Sequence, residues 1–154
     1  MHMRSDQDLR QRYPAATQRV RDKELDHIDP HMARFIALSP FVVLASSDAG
    51  WRPDASPRGG PPGFVRQVDP QTLLIPDFPG NNRLDSLANI VETAHVGLLF
   101  LIPGVDEMLR VNGQAVVVAF VPEAQAQDKP VFFKAQGLPK GALRRVGSTD
   151  QHCT

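Results

Sequence analysis

The run HVGLLFLI, residues 95–102, limits most strongly what this chain can fold into. Nearly every residue in it is apolar, so the run lacks the polar residue at every second position that a strand with one wet face would show. A strand of this kind is normally covered on both of its faces. We therefore predict a strand that lies centrally in a sheet and not at its edge.

Other stretches share the same strand-like character. The sequence LRVNGQAVVVAF (109–120) predicts a long strand in which Gly113 marks a bulge or a close approach of the backbone. FVVLAS (41–46) is a β-branched, apolar run, and the residues SDAG behind it are typical of a turn. The remaining predicted strands cover residues 51–56, 64–68 and 72–76, separated by a proline- and glycine-rich loop at 57–63 and by the turn VDPQ.

Helices are fewer than strands. Asp29 and Pro30 are typical of a helix N-cap followed by proline at the first helical position, and Ser39-Pro40 predicts the end of that helix. A helix over about residues 20–28 precedes it. A third helix begins near Arg83, with an apolar face predicted from Leu84, Leu87, Ala88 and Val91.

About six short strands and three helices, joined mostly by tight turns, predict a fold that is mainly β with flanking helices, an antiparallel barrel or sandwich. The 154 residues suffice for one domain with its own core. Residues 1–18 are polar, which predicts a loose position on the surface. Beyond residue 121 the pattern weakens, and no internal repeat or interdomain linker is present.

Composition excludes several classes of function. The chain has 17 basic and 17 acidic residues, so it lacks the basic excess that duplex nucleic acid requires. No run of about 18 apolar residues predicts a membrane span, and the first residues do not resemble a secretory signal. A single cysteine, Cys153, excludes intramolecular disulfides, so the cytoplasm is the expected location.

The stretch LLIPDFPGNNRLDSLANI (73–90) predicts a binding site for an anion. Its asparagines stand where a helix begins, and the N-terminus of a helix offers free N–H donors and positive potential. Arg83, predicted in the first turn, opposes the helix dipole unless an anion lies in front of it. Arg58, in the loop between two strands, supplies a second planar guanidinium. The other interpretation is that both arginines are solvated or paired with Asp54 and Asp85.

Other kinds of site are poorly supported. His27 and His31 are spaced i, i+4, but Asp29-Pro30 interrupts the helix between them, so a zinc site is not predicted. The serines at 46, 47 and 56 lie outside a G-x-S-x-G motif, so no serine hydrolase is indicated. No residue stands out as a catalytic base, and the catalytic residues stay unassigned.

Taken together and in order, ASPRG, IPD-x-PGN-x-R-x-DS, LLFLIPG and LRVNG resemble the pyridoxamine 5'-phosphate oxidase-like FMN-binding proteins, and among them the "probable FMN-dependent enzyme" subgroup. The resemblance covers about Asp29 to Ala119. It implies a dimeric split β-barrel with FMN in clefts at the subunit interface. It also implies a division into an N-terminal extension (1–28), the FMN-binding barrel (29–122) and a divergent or truncated C-terminal tail (123–154).

The resemblance implies positions for the cofactor. Arg58, Asn82 and Arg83 correspond to the residues that hold the FMN phosphate, and Ser86 lies one turn into the following helix. Ile75, Pro76 and Asp77 end the strand that borders the isoalloxazine ring. Arg110 and Asn112 lie on the strand that reaches the cofactor of the partner subunit.

Two departures from the family pattern bear on function. Gly60 stands where relatives carry an acidic residue, and the C-terminal segment is weakly patterned where relatives continue into a further strand and a terminal segment with a late tryptophan. The resemblance implies an FMN-dependent oxidoreductase that acts on a small molecule, as a homodimer and without nucleic acid or membrane. The alternatives are a non-catalytic module that binds FMN or another phosphate-bearing cofactor, and a dimeric remnant that binds nothing.

Overall fold

The computed structural model describes residues 5–13, 15, 25–78, 83–119, 131–136 and 143–146. Within these ranges eight strands form one antiparallel sheet, which confirms the prediction of a mainly β fold. The strands are β1 (Phe41–Ser47), β2 (Pro53–Gly59), β3 (Arg66–Asp69), β4 (Thr72–Asp77), β5 (His95–Leu101), β6 (Met108–Ala119), β7 (Val131–Gln136) and β8 (Leu143–Val146).

The strand order is β2-β1-β5-β6-β7-β4-β3, and β8 also pairs with β6. β5 lies between β1 and β6, as its apolar sequence predicts. β2 lies at one end of this order and β4 next to the other end, yet Arg58 of β2 forms an ion pair with Asp77 of β4. The sheet therefore curves until its two ends approach each other, which is the geometry of a barrel.

Alternation along β1, β5 and β6 separates two faces of the sheet. Leu44, Leu98 and Val111 are paired in register and buried, and we call their side the core face. The opposite side, the outer face, carries Leu99 and Arg110, which are only partly buried. The core face packs with the other buried apolar residues, among them Ile36, Leu73, Ile75, Ile90 and Phe100.

Three helices within the described residues flank the sheet. α1 (Asp6–Arg12) begins with a capping box in which Ser5 Oγ accepts from the Asp8 N–H at 3.1 Å, and it buries no residue. α2 (Pro30–Leu38) begins as predicted, because Asp29 Oδ1 accepts from the Met32 N–H at 2.7 Å. α3 (Asp85–Thr93) joins β4 to β5. None of the described helices is long and apolar enough to cross a membrane.

The structure corrects several details of the sequence analysis. The β5–β6 register runs without interruption past Gly113, so of the two predicted alternatives the bulge is wrong. A register shift occurs instead between Gln67 and Asp69. β2 extends to Gly59, so Arg58 belongs to a strand and not to a loop. The predicted helix over 20–28 lies partly outside the described residues, and residues 25–28 are not helical.

The apolar face predicted for α3 is confirmed only for Leu87, which packs against the core, and is wrong for its other three residues. Leu84 and Val91 are 56% and 76% exposed, whereas the residues that α3 buries are Ser86 and Ile90. The helix begins at Asp85 with Leu84 as its N-cap, so Arg83 precedes the helix instead of lying in its first turn. The asparagines predicted as N-cap lie outside the described residues.

Candidate functional site

A cavity of about 310 Å³ opens between β2 and the start of α3. It combines residues of β2, among them Asp54 and Ser56 of the core face, with polar residues at the start of the helix. Its lining residues are Asp54, Ala55, Ser56, Pro57, Arg83, Asp85 and Ser86. The cavity thus lies at the helix N-terminus, where the sequence predicts an anion.

Polar side chains attach α3 to the ends of β1 and β2. Ser86, only 3% exposed, donates its hydroxyl to Asp54 Oδ2 at 2.6 Å. One turn later the Asn89 amide donates to Ser46 Oγ at 3.0 Å, and the Thr93 hydroxyl donates to the Ser47 carbonyl at 3.0 Å. Because these residues recur on one side of the helix, the polar side turns toward the sheet and Ser86 is carried to the cavity wall.

The first turn of α3 leaves backbone donors available. Its N-cap residue, Leu84, has no side-chain acceptor, so within the described part of the chain the first N–H groups of the helix have no N-cap side chain. These groups carry the positive end of the helix dipole. Two of the residues that carry them, Asp85 and Ser86, line the cavity.

Arg83 stands at the rim of the cavity. Its Nε donates to Asp85 Oδ2 at 2.5 Å, and both side chains are largely in solvent, at 75% and 51% exposure. The hydrogen bond from the guanidinium to the Asp85 carboxylate raises the pKa of Arg83 above its ordinary value, with a smaller contribution from Asp54. Arg83 therefore stays charged, and it is paired with Asp85 as the second interpretation of the sequence expects.

Arg58 lies on the same face of β2 as Asp54 and Ser56, because residues two apart share a face. It is about 7 Å beyond Ser56 along the strand. Its Nη1 donates to Asp77 Oδ1, and both side chains are mostly buried. Arg58 is thus held by Asp77 rather than by Asp54, and it lies beyond the residues that line the cavity with Arg83.

The other residues from the sequence analysis occupy different places. Ile75 is buried in the core at 1% exposure, and Pro76 lines a separate groove of about 350 Å³ that also contains Phe64 and Phe78. Asn82 lies outside the described residues.

Arg110 and Asn112 lie on the outer face of β6, opposite Leu99 and Gly97 of β5. Asn112 borders an open depression of about 490 Å³ on that face. The Nε of Arg110 is buried and makes no hydrogen bond within the described part of the chain. A single chain does not bring these two residues to the cavity at α3, because the two locations are on opposite faces of the sheet.

Asp54 and Ser56 are site residues that the sequence analysis did not assign. The sequence predicts Asp54 only as an ion-pair partner of an arginine, and Ser56 lies outside any serine hydrolase motif. A signal was present in the alternation of Asp54, Ser56 and Arg58, which places three polar side chains on one face of a strand.

The donors around the cavity fit a phosphate group. One guanidinium, two serine hydroxyls and the uncapped N–H groups of α3 surround one space, and donors of these kinds bind phosphate in proteins. The two carboxylates of the cavity, Asp54 and Asp85, now accept hydrogen bonds from two of those donors. Among the described residues, no three His, Cys, Asp or Glu side chains are grouped to hold a metal ion.

Comparison with known proteins gives a family match. The sequence profile of the family described as pyridoxamine 5'-phosphate oxidase matches residues 28–136, which is more than half of the chain. No protein with a curated description matches the chain.

Solved structures with the same fold share little sequence with the chain. HupZ from Group A Streptococcus superposes with a TM-score of 0.58 at 15% identity, over 79% of this chain and 95% of HupZ. HutZ, the heme storage protein from Vibrio cholerae, gives 0.53 at 14% identity, over 75% and 94%. PhzG from Burkholderia lata, solved with tetrahydrophenazine-1-carboxylic acid, gives 0.51 at 9% identity, over 80% and 82%. At these identities the similarity shows the fold alone.

Proposed function

Because the chain belongs to the pyridoxamine 5'-phosphate oxidase family, we propose that it binds FMN and acts as an FMN-dependent oxidoreductase on a small molecule. The observation that carries this proposal is the cavity at the start of α3. There the guanidinium of Arg83, the hydroxyls of Ser56 and Ser86, and uncapped helix N–H groups surround one space.

In this proposal the phosphate of FMN lies in the cavity. Arg83 and the hydroxyl of Ser86 donate to its oxygens, together with the first N–H groups of α3. Arg58 approaches from the next positions of β2, and Asn82 belongs to the same group by its place in the family motif. The end of β4, with Ile75, Pro76 and Asp77, borders the ring. When bound, the flavin supplies the transfer of hydride or electrons, and the protein supplies position and surroundings.

We further propose that the working unit is a homodimer with the cofactor at the subunit interface. Arg110 and Asn112 lie on the outer face, away from the cavity of their own chain. In this proposal those side chains reach the cofactor held in the α3 cavity of a second chain that packs against the outer face. Exposed and half-buried apolar residues on that face, such as Phe41 and Val116, are compatible with such packing.

The experiment that tests the function is titration of the purified protein with FMN and with riboflavin, which lacks the phosphate. Arg83→Ala is expected to weaken FMN binding about tenfold and to change riboflavin binding by less than about twofold, because a charge-assisted contact to phosphate is lost. Arg52→Ala is the matched control, since Arg52 is also exposed and also paired with an aspartate, Asp48, but does not line the cavity. Equal weakening of both ligands by Arg83→Ala, or no binding of FMN, contradicts the proposal.

A non-catalytic FMN-binding module is the second candidate. It is favoured by the state of the two arginines, because Arg58 and Arg83 are each already paired with a carboxylate of the same chain. Such pairing weakens the binding of FMN, and weak binding is expected of a protein that exchanges its ligand. Turnover of NAD(P)H by the FMN-loaded protein would favour the enzyme, and stable binding without turnover would favour the module. Hemin belongs in the same titration, since HutZ shares the fold.

A further inference from the structure

The charges of the cavity at α3 do not favour a dianion as they stand. Asp54 and Asp85 contribute two negative charges, and Arg83 contributes one positive charge. Arg58 adds no net charge nearby, because it is paired with Asp77. Among the described residues that line the cavity, negative charge is therefore in excess, although the hydrogen-bond donors suit a phosphate.

The two carboxylates hold the donors that a phosphate needs. The hydroxyl of Ser86 has one proton to donate, and that proton is directed to Asp54 Oδ2 at 2.6 Å. The Nε of Arg83 is directed to Asp85 Oδ2 at 2.5 Å. A phosphate that enters the cavity must take the one Ser86 proton from Asp54 and must share the five N–H donors of Arg83 with Asp85. It must also approach both carboxylates against electrostatic repulsion.

We propose that Asp54 and Asp85 act as intramolecular competitors for the phosphate site, so that FMN binds to this protein as an exchangeable ligand. This inference rests on the proposed function and adds to it a pair of residues that set the affinity for the phosphate. When the competent state of a site is only a fraction of the population, the apparent dissociation constant rises by the inverse of that fraction. A tenfold preference for the self-paired state therefore weakens FMN binding about tenfold.

A purely structural role for the same contacts predicts unchanged or weaker FMN binding in the variants, and never tighter binding. If Asp54 only fastens α3 to β2, its neutralisation loosens the helix and weakens the binding of every ligand at its N-terminus. If Asp54 competes with the phosphate, its neutralisation strengthens FMN binding. Asparagine is the suitable replacement, because its side-chain oxygen still accepts from Ser86 while the charge is removed.

The test compares Asp54→Asn, Asp85→Asn and wild type by fluorescence titration with FMN and with riboflavin, and by the rate of FMN release after dilution. Each variant is expected to bind FMN about tenfold more tightly and to release it more slowly, with riboflavin affinity changed by less than about twofold. Asp48→Asn is the matched control, since Asp48 pairs with Arg52 at 2.6 Å outside the cavity. It is expected to change neither affinity.

The outcomes separate the inference from the function on which it rests. If both variants bind FMN but prefer it to riboflavin no more strongly than wild type does, the proposed competition is overturned. The proposed function then still stands. Absence of FMN binding in wild type and in both variants overturns both. If Asp54→Asn does not fold, Asp85→Asn decides alone, because Asp85 is 51% exposed and its replacement leaves the core intact.

Discussion

The ion pair between Arg58 and Asp77 is the described side-chain contact that joins the two ends of the curved sheet, and Asp77→Asn tests its contribution to stability. The replacement keeps the size of the side chain and removes its charge. Arg58 then remains in a mostly buried position opposite a neutral amide. We expect the variant to fold and to be measurably less stable than wild type.

The size of the effect follows from burial. Hydrogen bonds to charged groups contribute about 1.5–3 kcal/mol, and breaking a fully buried ion pair costs about 3–5 kcal/mol. The side chains of Arg58 and Asp77 are 16% and 21% exposed, so water screens the pair only in part. We therefore expect a loss of about 2 kcal/mol in the free energy of unfolding, which lowers the Tm by about 4–8 °C.

Urea denaturation followed by far-UV circular dichroism measures this loss, because the signal reports the whole sheet. Asp48→Asn is again the matched control, since its partner Arg52 is 86% exposed and joins only neighbouring residues of one hairpin. The control is expected to shift the midpoint much less than Asp77→Asn. Equal shifts for the two variants would refute the view that the Arg58–Asp77 pair holds the ends of the sheet together.

Two further predictions concern the backbone. Gly60→Ala is expected to destabilise the protein by about 1–3 kcal/mol, because the new Cβ would lie 2.8 Å from Cβ and 2.9 Å from Cγ of Phe64, a core residue. Thermal unfolding measures the loss, and an unchanged Tm would contradict it. Trp51→Gly is expected to stabilise the protein by about 0.5–1 kcal/mol, since Trp51 has a φ of 63° and is 85% exposed; a lower urea midpoint than wild type would contradict this.

The sequence predicted the central strands well because their hydrophobicity reflects their position. The β-branched and apolar residues of β1 and β5 leave few arrangements other than strands inside a sheet. The end of β2 was predicted too early in the chain, because Pro57 and Gly59 are typical of a loop. β2 lies at the end of the strand order, and an edge strand has free backbone positions where proline is tolerated.

α3 was harder to predict because its buried side mixes polar with apolar residues. The periodicity of Leu84, Leu87 and Val91 predicts an apolar face toward the core. Only Leu87 of these packs there, with Ile90, while Ser86, Asn89 and Thr93 make hydrogen bonds to the sheet and within the helix. These polar residues face polar partners at the ends of β1 and β2. Only knowledge of those partners, which are 32 to 46 residues away in the chain, identifies the buried side.

The same limit applies to the candidate site. The sequence predicts that Arg58 and Arg83 bind one anion together. In the fold each arginine forms an ion pair with a different carboxylate, and Ser56 lines the cavity with Arg83 instead. Register in the sheet then separates Arg110 and Asn112 from that cavity, because they alternate with core residues of β6. A set of residues taken from one sequence can thus describe a site made by two chains.

If the protein is a homodimer as proposed, Arg110→Ala should weaken FMN binding only under conditions in which the dimer forms. Equal weakening in a monomeric preparation that still binds FMN would show that the residue acts within its own chain.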